Sequence, residues 1–431
     1  MAKIAFLGAG STVFAKNVLG DSMMTKALQD ADIALYDIDA DRLNDSQMML
    51  DNINANCNEG RANIVSYLDR KAALKDADYV INAIQVGGYK PCTVTDFEVP
   101  KKYGLRQTIA DTLGIGGIFR TLRTAPVMLD FARDMEEVCP DAWFLNYVNP
   151  MAMLTKVMLK GSNIKTVGLC HSVQVCAKEL LEPIGMSLDN VNAKIAGINH
   201  MAWLLEITRN GKDLYPEIKK LSLQRDKHDD MVRHEIMKNF GYYVTESSEH
   251  NAEYMPYFIK SNYPELIDKL NIPLDEYPRR CEEHEVRWEK MRKILVDNDK
   301  VEHERSREYA SHIMEAMETN QPYMINGNVL NKGLITNLPY DCCVEVPCVV
   351  DKNGVTPTYV GALPPQLAAL NRTNINVQEL TVEAILTGKK EYIYHAAMLD
   401  PHTSSELSID DTKSLVDDMI EAHGDWLPTF K

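Results

Sequence analysis

Apolar residues in the first half of the chain come in short unbroken runs, separated by longer stretches with helical spacing. Lys3-Ile4-Ala5-Phe6-Leu7 is the first such run, and 31–36, 78–83, 143–147 and 165–169 follow. Runs this short and this apolar predict strands covered on both faces. The intervening stretches 41–54, 122–137 and 151–159 predict helices. Strand and helix in alternation predict an open, doubly wound parallel sheet.

From about residue 190 the pattern changes. Strand-like 193–196 and 203–207 flank His200, and a charged helical region is expected over 219–238. Further helices are expected at 282–297, 306–317 and 378–387, with a strand at 342–346.

The run at the N-terminus ends in Gly8-Ala9-Gly10-Ser11-Thr12 and opens a helix, a setting that suits a pyrophosphate at a helix N-terminus. Asp37 after the second strand could take the ribose hydroxyls, and its charge would repel a 2′-phosphate, so NAD is expected rather than NADP. The expected organisation is a Rossmann-like NAD-binding domain over 1–190. An α+β domain for substrate, metal and oligomerisation follows over 191–431, in a lactate/malate dehydrogenase-like architecture.

Composition narrows the partners. With 431 residues and 45% hydrophobic content the chain can bury a large core. A net charge of −16 argues against nucleic acid and anionic membrane surfaces. No apolar run approaches the roughly 18 residues of a membrane span, and no secretory signal precedes the first strand. Nine cysteines, an odd number with two adjacent, fit reduced thiols and a cytoplasmic location.

Two strand ends carry soft metal ligands, Cys170 in Gly168-Leu169-Cys170-His171-Ser172 and His200 in Gly197-Ile198-Asn199-His200. Thiolate plus imidazole suits a borderline divalent ion and leaves positions for substrate oxygens. A core cysteine and a satisfied histidine are the alternatives. Asn149 before Pro150 either holds sugar hydroxyls or caps a helix. The glycine-rich stretch from Asp111 to Gly117 is either a connector or a loop closing over cofactor and sugar. The cluster from Tyr243 to Tyr257, with His250 and several acids, is either a solvated loop or part of a site.

Phe6 to Ser11, Cys170 to Gln174 and Gly197 to His200 together closely resemble glycoside hydrolase family 4, whose members use NAD and a divalent metal. The resemblance runs over essentially the whole chain. Cys-His-Ser is similar to members acting on unphosphorylated α-glycosides. The stretches 87–98, 245–250, 273–278 and 423–428 look like the family's bacterial α-galactosidases. What this implies is an α-galactosidase, with α-glucosidase or α-galacturonidase as the alternatives within the family, acting as a homodimer or homotetramer. Cys170 and His200 would bind Mn²⁺, and Asn149, Arg307 and His250 would contact substrate. The cofactor set would be Phe6, Gly8, Gly10, Ser11, Thr12, Asp37, Gln85 and Asn146. A tyrosine is the family's usual base, which points to Tyr254 and next to Tyr257. Asp111 stands where the family usually has Glu. His171 stands where some phosphosugar members have Asp, and both join the catalytic candidates.

The implied route oxidises sugar C3, removes the acidified C2 proton, expels the aglycone from C1, adds water and reduces C3 again. Net chemistry is hydrolysis. A hydroxy-acid dehydrogenase would use the same N-terminal half without a metal, and a non-enzymatic NAD-sensing protein would close its metal site with a fourth ligand.

Overall fold

The computed structural model describes residues 1–431. Its strands are β1 (Lys3–Leu7), β2 (Asp32–Tyr36), β3 (Asn63–Tyr67), β4 (Tyr79–Asn82), β5 (Trp143–Asn146), β6 (Lys165–Leu169), β7 (Val191–Ile198), β8 (Met201–Arg209), β9 (Lys212–Asp213), β10 (Tyr323–Leu330), β11 (Cys343–Asp351) and β12 (Gly354–Pro357). All join one twelve-stranded sheet in the order β3-β2-β1-β4-β5-β6-β10-β11-β7-β8-β9, with β12 paired to β11. The first six are parallel, and all but the polar edge strand β3 are the expected apolar runs, buried on both faces. The order reverses between β1 and β4, and open α/β sheets bind ligands at the carboxyl ends of strands at such a reversal.

The remaining strands extend this sheet antiparallel. β10 lies against β6 through Asn328–Gly168 and Gly327–Leu169, β11 pairs with β10, and Glu345 of β11 meets Gly197 of β7. Gly168 is needed at the seam, since a Cβ there would sit 2.4 Å from the Thr155 hydroxyl. The main apolar core is continuous across β1–β6 and β10–β11. No helix is long and apolar enough to cross a membrane.

Several expected elements differ. The region 219–238 is two helices, Tyr215–Ser222 and Met231–Phe240. Asp226, Asp229 and Asp230 fall in the break, where short acidic side chains favour turns. The helix expected from 306 begins at Ala310, because Ser306 gives both its backbone N–H (2.8 Å) and its hydroxyl (2.6 Å) to Asp21. The stretch 378–387 is the end of a longer helix, Pro365–Thr387. Strands β3 and β10 carry too many polar residues to stand out in sequence. The glycine-rich stretch is not a loop beyond Leu113, since the helix Gly114–Val138 starts inside it. Gly116 and Gly117 press against the backbone of Ala110 and Thr112, where a Cβ would come within 2.4 and 2.7 Å. They serve close packing rather than closure over a ligand.

Candidate active site

The cofactor crevice is built by the β1 turn. Gly8 has φ +85°, and a Cβ on it would meet the Ala83 carbonyl oxygen at 2.7 Å. A Cβ on Gly10 would lie 2.8 Å from Asp37 Oδ2, which accepts the Gly10 N–H at 2.7 Å. The turn thus hugs the ends of β2 and β4, and the first amides of helix Thr12–Met23 face out without helical partners. This cradle fits a pyrophosphate. Ser11 is the N-cap residue, and its hydroxyl caps nothing. Gln85 is exposed just beyond β4. Three expected cofactor contacts have other work. Phe6 is fully buried in the core. Thr12 is 3% exposed and accepts the Ser46 hydroxyl at 3.1 Å. Asn146 takes the Asn82 amide at 3.0 Å and gives its own to Val148 O at 3.2 Å, so it clasps β4 to β5.

The second half of the site lies beyond β6. Cys170 follows the last residue of β6, and His200 sits in the tight turn between β7 and β8 with φ +62°. Glu246, also left-handed at φ +65°, completes a triangle, with the three ligand atoms within 4.8 Å of one another. His200 Nε2 is 3.5 Å from Glu246 Oε2. Burial should lower the His200 pKa, yet Glu246 and Cys170 pull it up to about 10. The Glu246 carboxylate makes this a place of negative potential, which suits a cation in exchange for the imidazole proton. Sulfur, nitrogen and oxygen donors, with Cys170 and Glu246 only partly buried, fit an open divalent site.

Around the triangle the sequence candidates separate. Tyr254 is fully buried and its hydroxyl lies 3.0 Å from His200 Nδ1. Tyr257 is 49% exposed and stacks on Phe240 at 6.2 Å, so the structure does not bring it to this cluster. His250 packs edge-on to His200 at 4.9 Å, with its nitrogens 3.5 Å from Asp111 and 3.4 Å from Glu246. Burial alone would raise Asp111, but His250 and the Arg120 charge hold its carboxyl well below the usual range. Asn149 does not cap the following helix, whose N-cap residue is Pro150, and its side-chain oxygen is buried without a partner. His171 Nε2 is bonded to Glu308 at 2.6 Å. Arg307 is exposed, lines a groove beside helix Ser172–Leu181 and makes no ion pair.

Glu246 and Glu253, both from the polar cluster between Tyr243 and Tyr257, stand at the site, and so does Glu308, which no local pattern marks. Glu253 accepts the backbone N–H groups of Thr108 (2.9 Å), Ile109 (3.3 Å) and Ala110 (2.8 Å), which fixes the left-handed Ala110 just before Asp111. Burial pushes its carboxyl up to about 7 against those donors. Left-handed non-glycine residues at 110, 200 and 246 thus converge on one place, as strain does at functional sites.

Comparison with known proteins decides the family. Residues 3–186 match the family 4 glycosyl hydrolase model, and residues 195–403 match the model of the family 4 glycosyl hydrolase C-terminal domain. The chain belongs to glycoside hydrolase family 4. This family 4 chain is 65% identical over 433 residues to an alpha-galactosidase of Bacillus subtilis, covering 100% of both. A glucosidase structure from Bacillus subtilis superposes with a TM-score of 0.84 at 27% identity, over 97% of this chain and 99% of that one. A 6-phospho-alpha-glucosidase from gut microorganisms, solved with NAD and Mn²⁺, shares the fold with a TM-score of 0.80 at 20% identity and full coverage of both chains. The family 4 chain therefore carries its glycine turn and its Cys–His–Glu triangle on a fold common to these glycosidases.

Proposed function

We propose that this chain is an α-galactosidase that hydrolyses its substrate by transient oxidation of the sugar, with NAD and a divalent cation such as Mn²⁺. The observation that carries the reading is the tyrosine hydroxyl 3.0 Å from the imidazole of a Cys–His–Glu triangle, in a chain that also has a pyrophosphate cradle. The 65% identity to an alpha-galactosidase supports the galactoside. When bound, NAD supplies a hydride acceptor and the cation a Lewis acid that makes the sugar C2 proton removable.

The chain's own residues do the rest. Cys170, His200 and Glu246 hold the cation, and the β1 turn with Asp37 and Ser11 holds the cofactor. Asn149 Oδ1, buried and unpartnered, accepts a sugar hydroxyl. Tyr254 takes the C2 proton. His200 Nδ1, 3.0 Å from the Tyr254 oxygen, would donate a hydrogen bond to the phenolate while the imidazole helps hold the cation. His250 holds Asp111 and Glu246 in register, and Glu308 orients His171 beside the leaving group. Residues 1–190 act as the cofactor half and 191–431 as the substrate and assembly half of a cytoplasmic homo-oligomer. Nine free cysteines support the reducing compartment.

The test is p-nitrophenol release from p-nitrophenyl α-galactoside under thiol, with and without NAD⁺ and Mn²⁺ and with the α-glucoside as control. Activity that needs both additives without net NADH is the expected result. Hydrolysis indifferent to both would sink the mechanism, and preference for the glucoside would move the assignment within the family.

A further inference from the structure

Arg120 and Arg123 lie one turn apart on helix Gly114–Val138, so they leave it on the same face. Each gives its Nε proton to a main-chain carbonyl beyond a parallel strand. Arg123 donates to Val86 O at 3.3 Å, after β4, and Arg120 to Asn149 O at 3.2 Å, after β5. One helix thereby pins both strand-end segments of the crevice.

Their other nitrogens differ. The Arg123 side chain is 1% exposed and gives Nη1 and Nη2 to the two Asp96 oxygens at 3.1 and 2.7 Å, where His423 Nε2 also closes at 2.9 Å. That charge is neutralised inside the fold. Arg120 is 9% exposed and bonds no carboxylate. Its Nη1 reaches only the Tyr277 hydroxyl at 3.5 Å, and Nη2 has no partner in the chain. A guanidinium taken out of water with donors left over is costly, so it needs a reason to be there.

The groups around Arg120 are those of the candidate active site. Its Nε partner is the carbonyl of Asn149, whose side-chain Oδ1 is buried without a donor. Against burial, His250 and then the Arg120 charge hold Asp111 ionised. Cys281, on helix Glu276–Leu295, feels the same charge, against the burial that pushes its thiol up to about 11. A free acceptor on Asn149 and a free donor on Arg120 are together what one sugar hydroxyl needs, because a hydroxyl both donates and accepts. The ionised Asp111 disfavours an anionic group at the same place.

We propose that Arg120 is a substrate-binding residue: Nη2 donates to a hydroxyl of the galactosyl ring, and that hydroxyl donates to Asn149 Oδ1. The hydroxyl is the one on C4 or on C6, since C2 and C3 are the reacting positions. The inference deepens the α-galactosidase reading above and rests on it. Its test is a cycle of side chain against substrate on enzyme loaded with NAD⁺ and Mn²⁺. Wild type and Arg120→Met, which keeps an aliphatic stem, are compared on the p-nitrophenyl α-glycosides of galactose, 4-deoxygalactose and 6-deoxygalactose. The variant is expected to lose about ten- to hundredfold in kcat/KM on the galactoside, as for a lost hydrogen bond to a charged group. Wild type should lose as much on one of the two deoxy substrates, and there the variant should lose no more than about twofold further. Added guanidinium ion should restore part of the activity of Arg120→Ala, which a purely structural role would not allow. Equal variant losses on all three substrates, or no loss on any, would overturn the proposal. A wild-type preference for the α-galacturonide that disappears in Arg120→Met would overturn it in favour of a carboxylate ligand. Arg120→Lys keeps the charge without the forked donors and is run beside the others. If it and Arg120→Met both failed to bind NAD and Mn²⁺, the role would be structural and the proposal would fall. Wild-type enzyme that leaves the galactoside intact would instead fail the reading beneath it.

Discussion

Tyr254 is a poor base in its bare surroundings. Burial, then the charges of Asp111, Glu253 and Glu246, push its phenol well above 10. A divalent cation held at the neighbouring triangle would oppose those charges and lower the phenol again, so on the proposed mechanism Tyr254 would act as base only in the metal-loaded protein. Tyr254→Phe should lower kcat by about 10²–10⁴-fold, the range for a general base, while Mn²⁺ and NAD affinities measured by titration stay in place. Glu246→Gln should weaken Mn²⁺ by more than about tenfold, since even outer partners of a metal are worth that much, and leave NAD binding alone. Glu345 gives a pH test. It is fully buried in β11 with Oε2 unpartnered, and burial raises its carboxyl to about 7 despite the charge of His200. Its folded-state pKa lies above the unfolded value, so the folded state holds the extra proton and stability falls as pH rises from 4.5 towards 7. In metal-free protein Glu345→Gln should therefore raise the melting temperature at pH 8 and do little near pH 4.5. A stabilisation equal at both would refute the assignment. At this scale the sequence was uneven. Cys170 and His200 are visible at strand ends, but Glu246 and Glu308 reach the site only through tertiary placement.

Among the elements, the least regular segment has the firmest anchor. Asp21, fully buried on the helix that opens the cofactor cradle, accepts His303 Nε2 at 2.7 Å and both donors of Ser306. Ser306 Oγ in turn accepts the Glu308 N–H at 3.0 Å. The cofactor helix thus fixes the segment that presents Glu308 to His171. Burial raises Asp21, but His303 and Ser306 outweigh it and its carboxyl lies below the ordinary 3.8. A depressed carboxylate stabilises above its unfolded pKa and loses that contribution as pH falls through the folded one. Asp21→Ala should cost at least about 1–3 kcal/mol in denaturant unfolding at pH 7, the range for leaving a buried donor without its acceptor. Helical spacing could not foresee this clamp, which is why the helix expected from residue 306 starts four residues late. The parallel strands, by contrast, were legible because double burial makes each an unbroken apolar run. The edge strand β3, with alternating polar residues, was not.

On the whole-molecule scale the sheet joins the two halves without a gap, and the candidate cofactor and metal sites lie at the carboxyl ends of its parallel strands and at the β7–β8 turn. NAD at a hundred times its dissociation constant should add about 2.7 kcal/mol of stability, read as a rise in melting temperature. If NAD left the melt unchanged, the cradle at Gly8 and Gly10 would need another ligand. The alternation of strand and helix announced this architecture, whereas the fusion of the later strands to β6 depends on pairings more than 150 residues apart, such as Gly168 with Asn328.

That fusion governs when the protein can become an enzyme. Cys170 and His200 are only thirty positions apart in the sequence. Yet β10 and β11, drawn from residues 323–351, stand between β6 and β7 in the sheet. If the cysteine and the histidine hold the ion as proposed, they would emerge early in synthesis and reach this geometry only once the chain has grown past Asp351 and the late hairpin has slotted between them. On the proposed ligand set, metal capture would thereby wait until after residue 351, and a chain ending before it would lack the strands that bring the ligands together.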